Sequence, residues 1–546
     1  IEYVFKVVTM ELSTILALSA IIIAITYYFL KKENVYEAHG IPSVQSVPIL
    51  GSMMPIVRKQ MSMAELGSKM YKTHPEAKYV LLYDFTFPVL LIRDPELIKL
   101  IAVKNFEHFP DHRSVINRKS EPLFSRNLFL LRGEEWRRIR NLLSPAFTSS
   151  KMKVMFELMS KCAADFSDFL SKIPEEKREM EMKDAFTRYT NDVIASCAFG
   201  IDVNSMRDPE NAFYMNGRKV TSFIGSRRIK AFIIRSFPNL ARWLNLQIIE
   251  KQNGHYFKDV ITSTIQTRDE KSIYRPDMIQ LMMDTRGKKE SGKELTIDEM
   301  TAQAFIFFIA GFDTISSLLC FMAHTLAIEP EVQKKLQDEI DKALINNNGE
   351  FTYEAIAGME YLDAVISECL RMYPVVFSLD RVCEKSCELP PAVPGAKPFT
   401  IKKGMGVWFP VYGLQHDPKY YDEPEVFRPE RFLENGKKIL NSGTYLPFGI
   451  GPRMCIGNRF ALMEAKVLLC HFLTRCELKR AAKTTVPIKL SKQSLMLKAE
   501  DGFWVKVQPR NNPPSIVTSV KNGECTKRAH AKILPNLNIH KNIHIH

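Results

Sequence analysis

Apolar residues run without a charge from Leu12 to Leu30 and stop at Lys31 and Lys32. Such a run is long enough to cross a bilayer as a helix, and the lysine pair assigns everything after it to the cytosolic side. A cleaved signal would have a shorter apolar core and a small-residue cleavage site, whereas KKENVYEAHG follows here. Residues 12–30 therefore read as a retained single-pass anchor, with 1–11 as a leader and lumenal segment and Met10 as a candidate start. Residues 31–51, marked by proline and glycine, read as a hinge between anchor and body.

Beyond the hinge the periodicity changes several times. Tyr79–Tyr83 and Val89–Ile92 are short strand-like runs closed by the turn-forming Arg93, Asp94 and Pro95. From about residue 134 to 373 the pattern is mainly helical, with amphipathic segments and few prolines. The longest predicted helix is Thr296–Ala327, opened by a capping box between Thr296 and Glu299 and stopped by Pro330. Gly311 lies in its middle, where glycine costs about 1 kcal/mol relative to alanine. That position serves either close helix packing or a local opening of the hydrogen-bond ladder that admits a ligand. After Pro374 turn formers dominate, and a last helix is predicted over Asn458–Thr474. With no internal repeat, this pattern predicts a mainly α fold with a small β region (α+β), one large domain over residues 52–509.

Composition sharpens this outline. Hydrophobic residues make up 46% and charged residues 25%, as in a folded protein with a sizeable core. The formal charge is +14, but residues 510–546 carry six basic side chains against Glu524, which leaves about +9 on the body. That balance suits an anionic membrane surface or an acidic protein partner. No basic run is interleaved with aromatics, so nucleic acid is excluded as a partner. The 510–546 segment, ending NLNIHKNIHIH, reads as a disordered basic, His-rich tail. The ten cysteines show no disulfide-framework spacing, and in a cytosolic body they are expected to be reduced. Cys383 and Cys387 form a CxxxC pair with no histidine cluster to support a metal.

One cysteine stands apart. Residues 447–457 read PFGIGPRMCIG, placing Cys455 among Gly449, Gly451 and Gly457 just before the last helix. Glycines let backbone approach a flat ligand and adopt positive φ. A thiolate needs positive charge or a metal, and a helix N-terminus adds dipole and free N–H groups. Phe448 can shield the sulfur and Arg453 can fork a carboxylate. A thiolate, a planar cofactor and a carboxylate together describe haem with its propionates.

The run Phe448-x-x-Gly451-x-Arg453-x-Cys455-x-Gly457 resembles the haem-binding signature of the cytochrome P-450 superfamily, the haem-thiolate monooxygenases. The resemblance implies that Cys455 is the proximal axial ligand, whose thiolate pushes electron density to the iron and favours O–O cleavage. Three further segments agree. Glu368-Cys369-Leu370-Arg371 and Pro429-Glu430-Arg431-Phe432 match the family's structural network, in which Arg431 joins Glu368 and Arg371. Ala310-Gly311-Phe312-Asp313-Thr314 resembles the oxygen-activating stretch, where Thr314 and Asp313 would organise water for proton delivery. A threonine in a helix also commonly bonds back to its own backbone. The family usually has Thr or Ser after this threonine, and Ile315 stands there instead. Residues 134–155 resemble the helix whose Trp136 and Arg140 reach a haem propionate, and Arg381 matches another propionate-binding arginine.

The resemblance spans about residues 35–509 and is closest to the microsomal clan of insect detoxification and vertebrate drug-metabolising enzymes. It implies haem b, and electrons from NADPH through a separate flavoprotein reductase with cytochrome b5 as a further donor. No dinucleotide fingerprint or flavin module is present in the chain itself. A basic surface including Arg137, Arg138 and Arg459 is a candidate docking face. The expected location is the endoplasmic reticulum membrane with a cytosolic catalytic domain. The expected substrate is lipophilic, against Phe124, Leu128–Leu130, Ile306, Ile309, Ala310 and Val375–Phe377. Two alternatives keep the haem: an isomerase or dehydratase acting on peroxides, which needs no proton relay, and a non-catalytic haem-binding sensor. The Asp313-Thr314 pair argues against the former.

Overall fold

The structure, a computed structural model, describes residues 19–20, 35–114, 116, 121–221, 226–286, 294–494 and 496–514. All of the predicted anchor but residues 19–20, the lysine pair after it and nearly all of the basic tail lie outside the described residues. Contacts gather the chain into two compact units, one built from residues up to Arg113 together with Ser378–Leu414, the other from Ser114–Phe377 and Gln415 onward.

In the first unit, helix α1 (Met63–Lys72) begins at a capping box in which Ser62 and Glu65 satisfy each other's backbone N–H. Strands β1 (Tyr79–Asp84) and β2 (Phe87–Ile92) form an antiparallel hairpin, each one or two residues longer than their apolar cores. β1 is buried on both faces, which explains why it reads as a continuous apolar run rather than an alternating one. β2 pairs in parallel with β7 (Gly406–Phe409), and β7 antiparallel with β4 (Leu379–Val382), giving the order β1-β2-β7-β4. A separate hairpin joins β5 (Cys387–Leu389) to β6 (Phe399–Ile401). The stretch read as a hinge packs along the free edge of β1: Val44 N donates to Leu81 O at 2.8 Å, Leu81 N to Pro42 O at 2.9 Å and Ser52 N to Tyr83 O at 2.9 Å. Backbone groups of an otherwise open edge strand are thereby covered.

The second unit is helical. Its named helices are α2 (Gly133–Leu143), α3 (Ser149–Ser171), α4 (Met182–Ile194), α5 (Ala212–Thr221), α6 (Lys251–Lys271), α7 (Ile297–Ile328), α8 (Pro330–Asn346), α9 (Glu360–Met372), α10 (Glu430–Asn441) and α11 (Asn458–Arg475). A small sheet in the order β3-β9-β8 joins Glu179–Glu181, Trp504–Pro509 and Cys476–Arg480. The central α7 has the predicted capping box and ends at Glu329, so Pro330 opens α8 at once. α7 is long and apolar enough to span a membrane, but it is a buried core helix. Its Phe305, Phe308 and Phe312 pack with Phe199, Phe213 and Phe257 at ring-centroid distances of 5.0–6.2 Å. α5 approaches this cluster through Gly217, whose added Cβ would lie 2.3 Å from Phe308 Cζ.

Gly311 settles between its two readings. α7 runs through it as uninterrupted α-helix, and a Cβ there would stand 3.1 Å from Ile194 Cδ1 of α4. The glycine serves close helix packing and opens no gap in the ladder.

α9 and α10 are locked by a buried ion network. Arg371 donates Nε to Glu368 Oε2 at 2.8 Å and Nη2 to Oε1 at 3.0 Å, and Arg431 Nε donates to the same Oε1 at 3.0 Å. The remaining guanidinium donors reach backbone carbonyls of Gln415 (2.8 Å), Pro424 (2.7 Å) and Asp422 (2.9 Å). A buried charge needs this degree of satisfaction to persist.

Candidate haem-thiolate site

The loop before α11 folds back on itself. Cys455 N donates to Phe448 O at 2.9 Å, Met454 N to Gly451 O at 2.9 Å and Gly449 N to Leu446 O at 3.0 Å. Gly449 and Gly451 take φ of +82° and +74°, a left-handed backbone that other residues enter only with strain. The turn carries Cys455 to the start of α11, where Gly457 is the N-cap residue. Cys455 is solvent-exposed in the polypeptide, yet protein crowds its sulfur. Burial pushes the thiol pKa up, while a bond from the Gly457 N–H and the Arg140 guanidinium pull it down. Accessible and crowded at once, the sulfur lies in a concave recess. A Cβ on Gly457 would meet only Phe147, at 3.8 Å, so the space at Gly457 is open.

Helix α2 borders this recess. Trp136, buried on its inner face, stacks under Arg453 with the guanidinium carbon 4.0 Å from the ring centre. Arg453 Nη2 also donates to Leu131 O at 2.9 Å. Arg140, one turn on from Trp136, is depressed in pKa by burial and partly restored by Cys455. The indole of Trp136 carries Arg453, and Arg140 lies within electrostatic reach of the sulfur. Arg138 does not stand free on a docking face, since it pairs with Glu299 of the α7 capping box. Arg137 is held by Glu134 at 3.1 Å, while Arg459 is exposed.

On α7, Ile306, Phe307, Ile309, Ala310, Gly311, Asp313 and Thr314 retain solvent contact, while Phe305, Phe308 and Phe312 between them are buried. Among them Ile306, Ala310, Asp313 and Thr314 recur at three- and four-residue intervals and so share one side of the helix, a stripe. Phe147 links this side to the loop, its ring 5.9 Å from Phe307 and 3.8 Å from the Gly457 Cβ position. Thr314 and Asp313 do not act on each other. Thr314 Oγ1 donates to Ala310 O at 2.5 Å. Asp313 Oδ1 accepts from Lys183 Nζ of α4 at 2.9 Å and from Lys498 Nζ at 3.2 Å. Lys183 also donates to Asp313 O at 3.1 Å and to Ser316 Oγ and Ser317 Oγ at 2.7 and 2.9 Å. Burial would raise the Asp313 pKa, but Lys183 and then Lys498 outweigh it and hold the carboxyl below its usual range.

Around the stripe, Gln303 clamps the preceding loop, donating to Arg126 O at 2.7 Å and accepting from Leu128 N at 2.8 Å. Phe124 packs edge-on against Phe305 at 5.8 Å, Leu128 and Val375 are buried, and Phe129 and Val376 are exposed. Sequence reasoning missed Lys183, Lys498 and Gln303, which sit in no recognisable motif, and gave no role to Phe147 within the 134–155 segment. Arg381 belongs to the first unit, where its Nη1 donates to Asp380 O at 2.6 Å and burial pushes its pKa down to about 10. Beside it, His112 bonds Asp380 at 2.9 Å.

The polypeptide fits a haem in three respects: a recessed but reachable sulfur, glycines beside it, and a stripe of two apolar positions with one hydroxyl and one carboxylate. Comparison with known proteins agrees. The family profile described as Cytochrome P450 matches residues 41–506. Cytochrome P450 9e2 of Blattella germanica is 45% identical over 509 residues, covering 87% of this chain and 94% of the relative. Probable cytochrome P450 9f2 of Drosophila melanogaster is 37% identical over 513 residues, covering 91% and 99% respectively. Cytochrome P450 6k1 of Blattella germanica is 35% identical over 505 residues, covering 89% and 95%.

Proposed function

The chain belongs to the cytochrome P450 family, which makes it a haem-thiolate monooxygenase of the insect detoxification type, and from that premise we propose that Cys455 ligates the haem iron through its thiolate. The observation that carries this is the recessed, reachable sulfur at the start of α11, the N–H of Gly457 and the cation of Arg140 beside it. Bound there, haem would supply the activation of O₂ from which one oxygen atom enters the substrate. Arg140, Trp136 and Arg453 would hold its anionic edge, and Arg381 is assigned to that role by resemblance alone. Gly449 and Gly457 would let the backbone close on the macrocycle, Phe448 would screen the sulfur, and Ala310 would leave room on the opposite face.

The protons come from the α7 stripe. Thr314 Oγ1 would exchange its bond to Ala310 O for one to a water, and Asp313 would orient that water through the carboxylate oxygen its lysines leave open. Charge-fixed acids of this kind keep one orientation, which suits a relay better than a swinging side chain. The substrate is a lipophilic small molecule, xenobiotic or endogenous, held by apolar contact with Phe124, Leu128, Phe129, Leu130, Ile306, Ile309 and residues 375–377. Electrons come from NADPH through a separate flavoprotein reductase with cytochrome b5 as a further donor. The enzyme sits on the endoplasmic reticulum by an N-terminal anchor, with its catalytic body cytosolic.

A reduced, CO-bound spectrum of the purified protein tests the ligand. The red-shifted thiolate Soret band should be present in wild type and absent in Cys455→Ser; its absence from wild type would overturn the assignment. A binding panel of hydrophobic and acidic compounds tests the substrate class, and preference for small acids would sink it. Reductase coupling that ignores both salt and charge reversal at Arg459 would remove the basic docking face.

A further inference from the structure

The segment 121–131 is held at both ends and in the middle. Gln303 of α7, wholly buried, directs both ends of its side-chain amide to it: Nε2 donates to Arg126 O at 2.7 Å and Oε1 accepts from Leu128 N at 2.8 Å. Asn127, also buried, closes the turn from within, its Oδ1 accepting from Phe129 N and Leu130 N at 3.1 Å each. At one end Glu121 accepts from the backbone N–H groups of Ile248 and Ile249, just before α6. At the other, Leu131 O accepts from Arg453 Nη2 at 2.9 Å.

Gln303 lies one helical turn before Ile306 and two before Ala310, on the side of α7 that continues into Asp313 and Thr314. The turn is therefore fixed at the head of the stripe that carries the hydroxyl and the carboxylate. At its tip Leu130 is half-buried and Phe129 exposed. A wall resting on ring contacts alone, such as that of Phe124 with Phe305 at 5.8 Å, yields in small steps, because each atom pair contributes little. A wall held by buried hydrogen bonds does not. Displacing this one leaves the Leu128 N–H and the Arg126 carbonyl without their amide partner, and an unpaired buried group costs more than the bond itself contributes.

We propose that Gln303 is a positioning residue for specificity: by fixing the 127–131 turn at the head of the α7 stripe, it limits how long a lipophilic chain the substrate site accepts. Gln303 touches no substrate itself and acts through the backbone of Arg126 and Leu128. The proposal rests on the reading of the stripe as the substrate side of the haem.

Difference spectra on the holoenzyme test this with the series from N-methylimidazole to N-dodecylimidazole, since an imidazole ligates haem iron and shifts the Soret band. In wild type, affinity should rise about fourfold per methylene and stop rising before the series ends. Gln303→Met, similar in volume but without the two hydrogen bonds, should extend the rise by about two methylenes. The longest members then bind about tenfold tighter than in wild type, and N-methylimidazole is unchanged. A general loss of stability weakens every member and so does not imitate this gain. Hydrogen exchange over residues 126–131 should quicken in the same variant. Asn127→Ala loosens the turn without altering α7 and should shift the profile the same way by a smaller step, so the test does not depend on Gln303→Met folding. A rise that continues to the dodecyl member in wild type, or a Gln303→Met profile and exchange identical to wild type, would overturn the proposal. No Soret shift with N-methylimidazole would overturn the haem reading beneath it, and the proposal with it.

Discussion

The loop at 447–457 and the α7 segment at 310–314 bear the same kind of motif, yet only the loop is explained by its own residues. Its turn is closed by local backbone bonds, its strained positions are glycines, and its cysteine is set by the helix that follows. The α7 segment is different. Its acid is held by lysines 130 residues before and 185 residues after it, and its threonine bonds its own helix. A motif whose geometry is made by short-range bonds can be read from sequence, whereas one whose electrostatics comes from distant elements yields only half its chemistry.

The strongest way to break the comparison is to remove the scaffold beneath the loop. Glu368→Ala would leave Arg371 and Arg431 buried without their shared carboxylate. Orphaning a buried charge costs about 3–5 kcal/mol. Thermal melts and haem content should show a protein that barely folds or fails to hold haem. Asp313→Asn should do the reverse, with a normal CO spectrum and turnover lower by about a hundredfold, the lower part of the range for lost acid–base assistance. A CO spectrum damaged by Asp313→Asn would mean the two sides are not separable.

Lys183→Met sharpens the same contrast through pH. The lysines hold the Asp313 pKa down, so its ionised form is favoured above the ordinary carboxylate pKa and is lost only as pH falls through the depressed value. Removing Lys183, the larger opposing charge, leaves Lys498 alone against burial and moves the pKa up. The acid limb of the pH–turnover profile should therefore shift to higher pH. An unmoved limb would show that Asp313 does not govern it.

Sequence legibility followed the range of the interactions. The α7 capping box, the α11 start and the Glu368–Arg371 pair depend on residues three or four apart and were all readable. The parallel pairing of Val89 with Gly406 joins strands more than 300 residues apart, and nothing in either run announces it. The first compact unit, which joins residues up to Arg113 with Ser378–Leu414, depends on such pairings. Gly311 was ambiguous because the same residue permits either a break or a close approach, and only the position of Ile194 decides between them. Arg138 looked like surface charge because its partner, Glu299, lies in a different helix.

The smallest effect discriminates best, because it separates the fold of the loop from its purpose. Gly449→Ala forces alanine into φ +82° and should cost about 1–2 kcal/mol even without haem. Gly457→Ala meets no such strain, since its Cβ would approach nothing closer than Phe147 at 3.8 Å. Alanine is a poorer N-cap than glycine, but it also lowers the entropy of the unfolded chain, and the two terms, each under about 1 kcal/mol, oppose one another. The haem-free protein should therefore melt within about 1 kcal/mol of wild type. If the open space at Gly457 belongs to the macrocycle, a methyl group there competes with it, and haem retention on dilution should fall while the haem-free melt stays put. Equal retention in wild type and Gly457→Ala would mean that the open space at Gly457 is not where the haem lies.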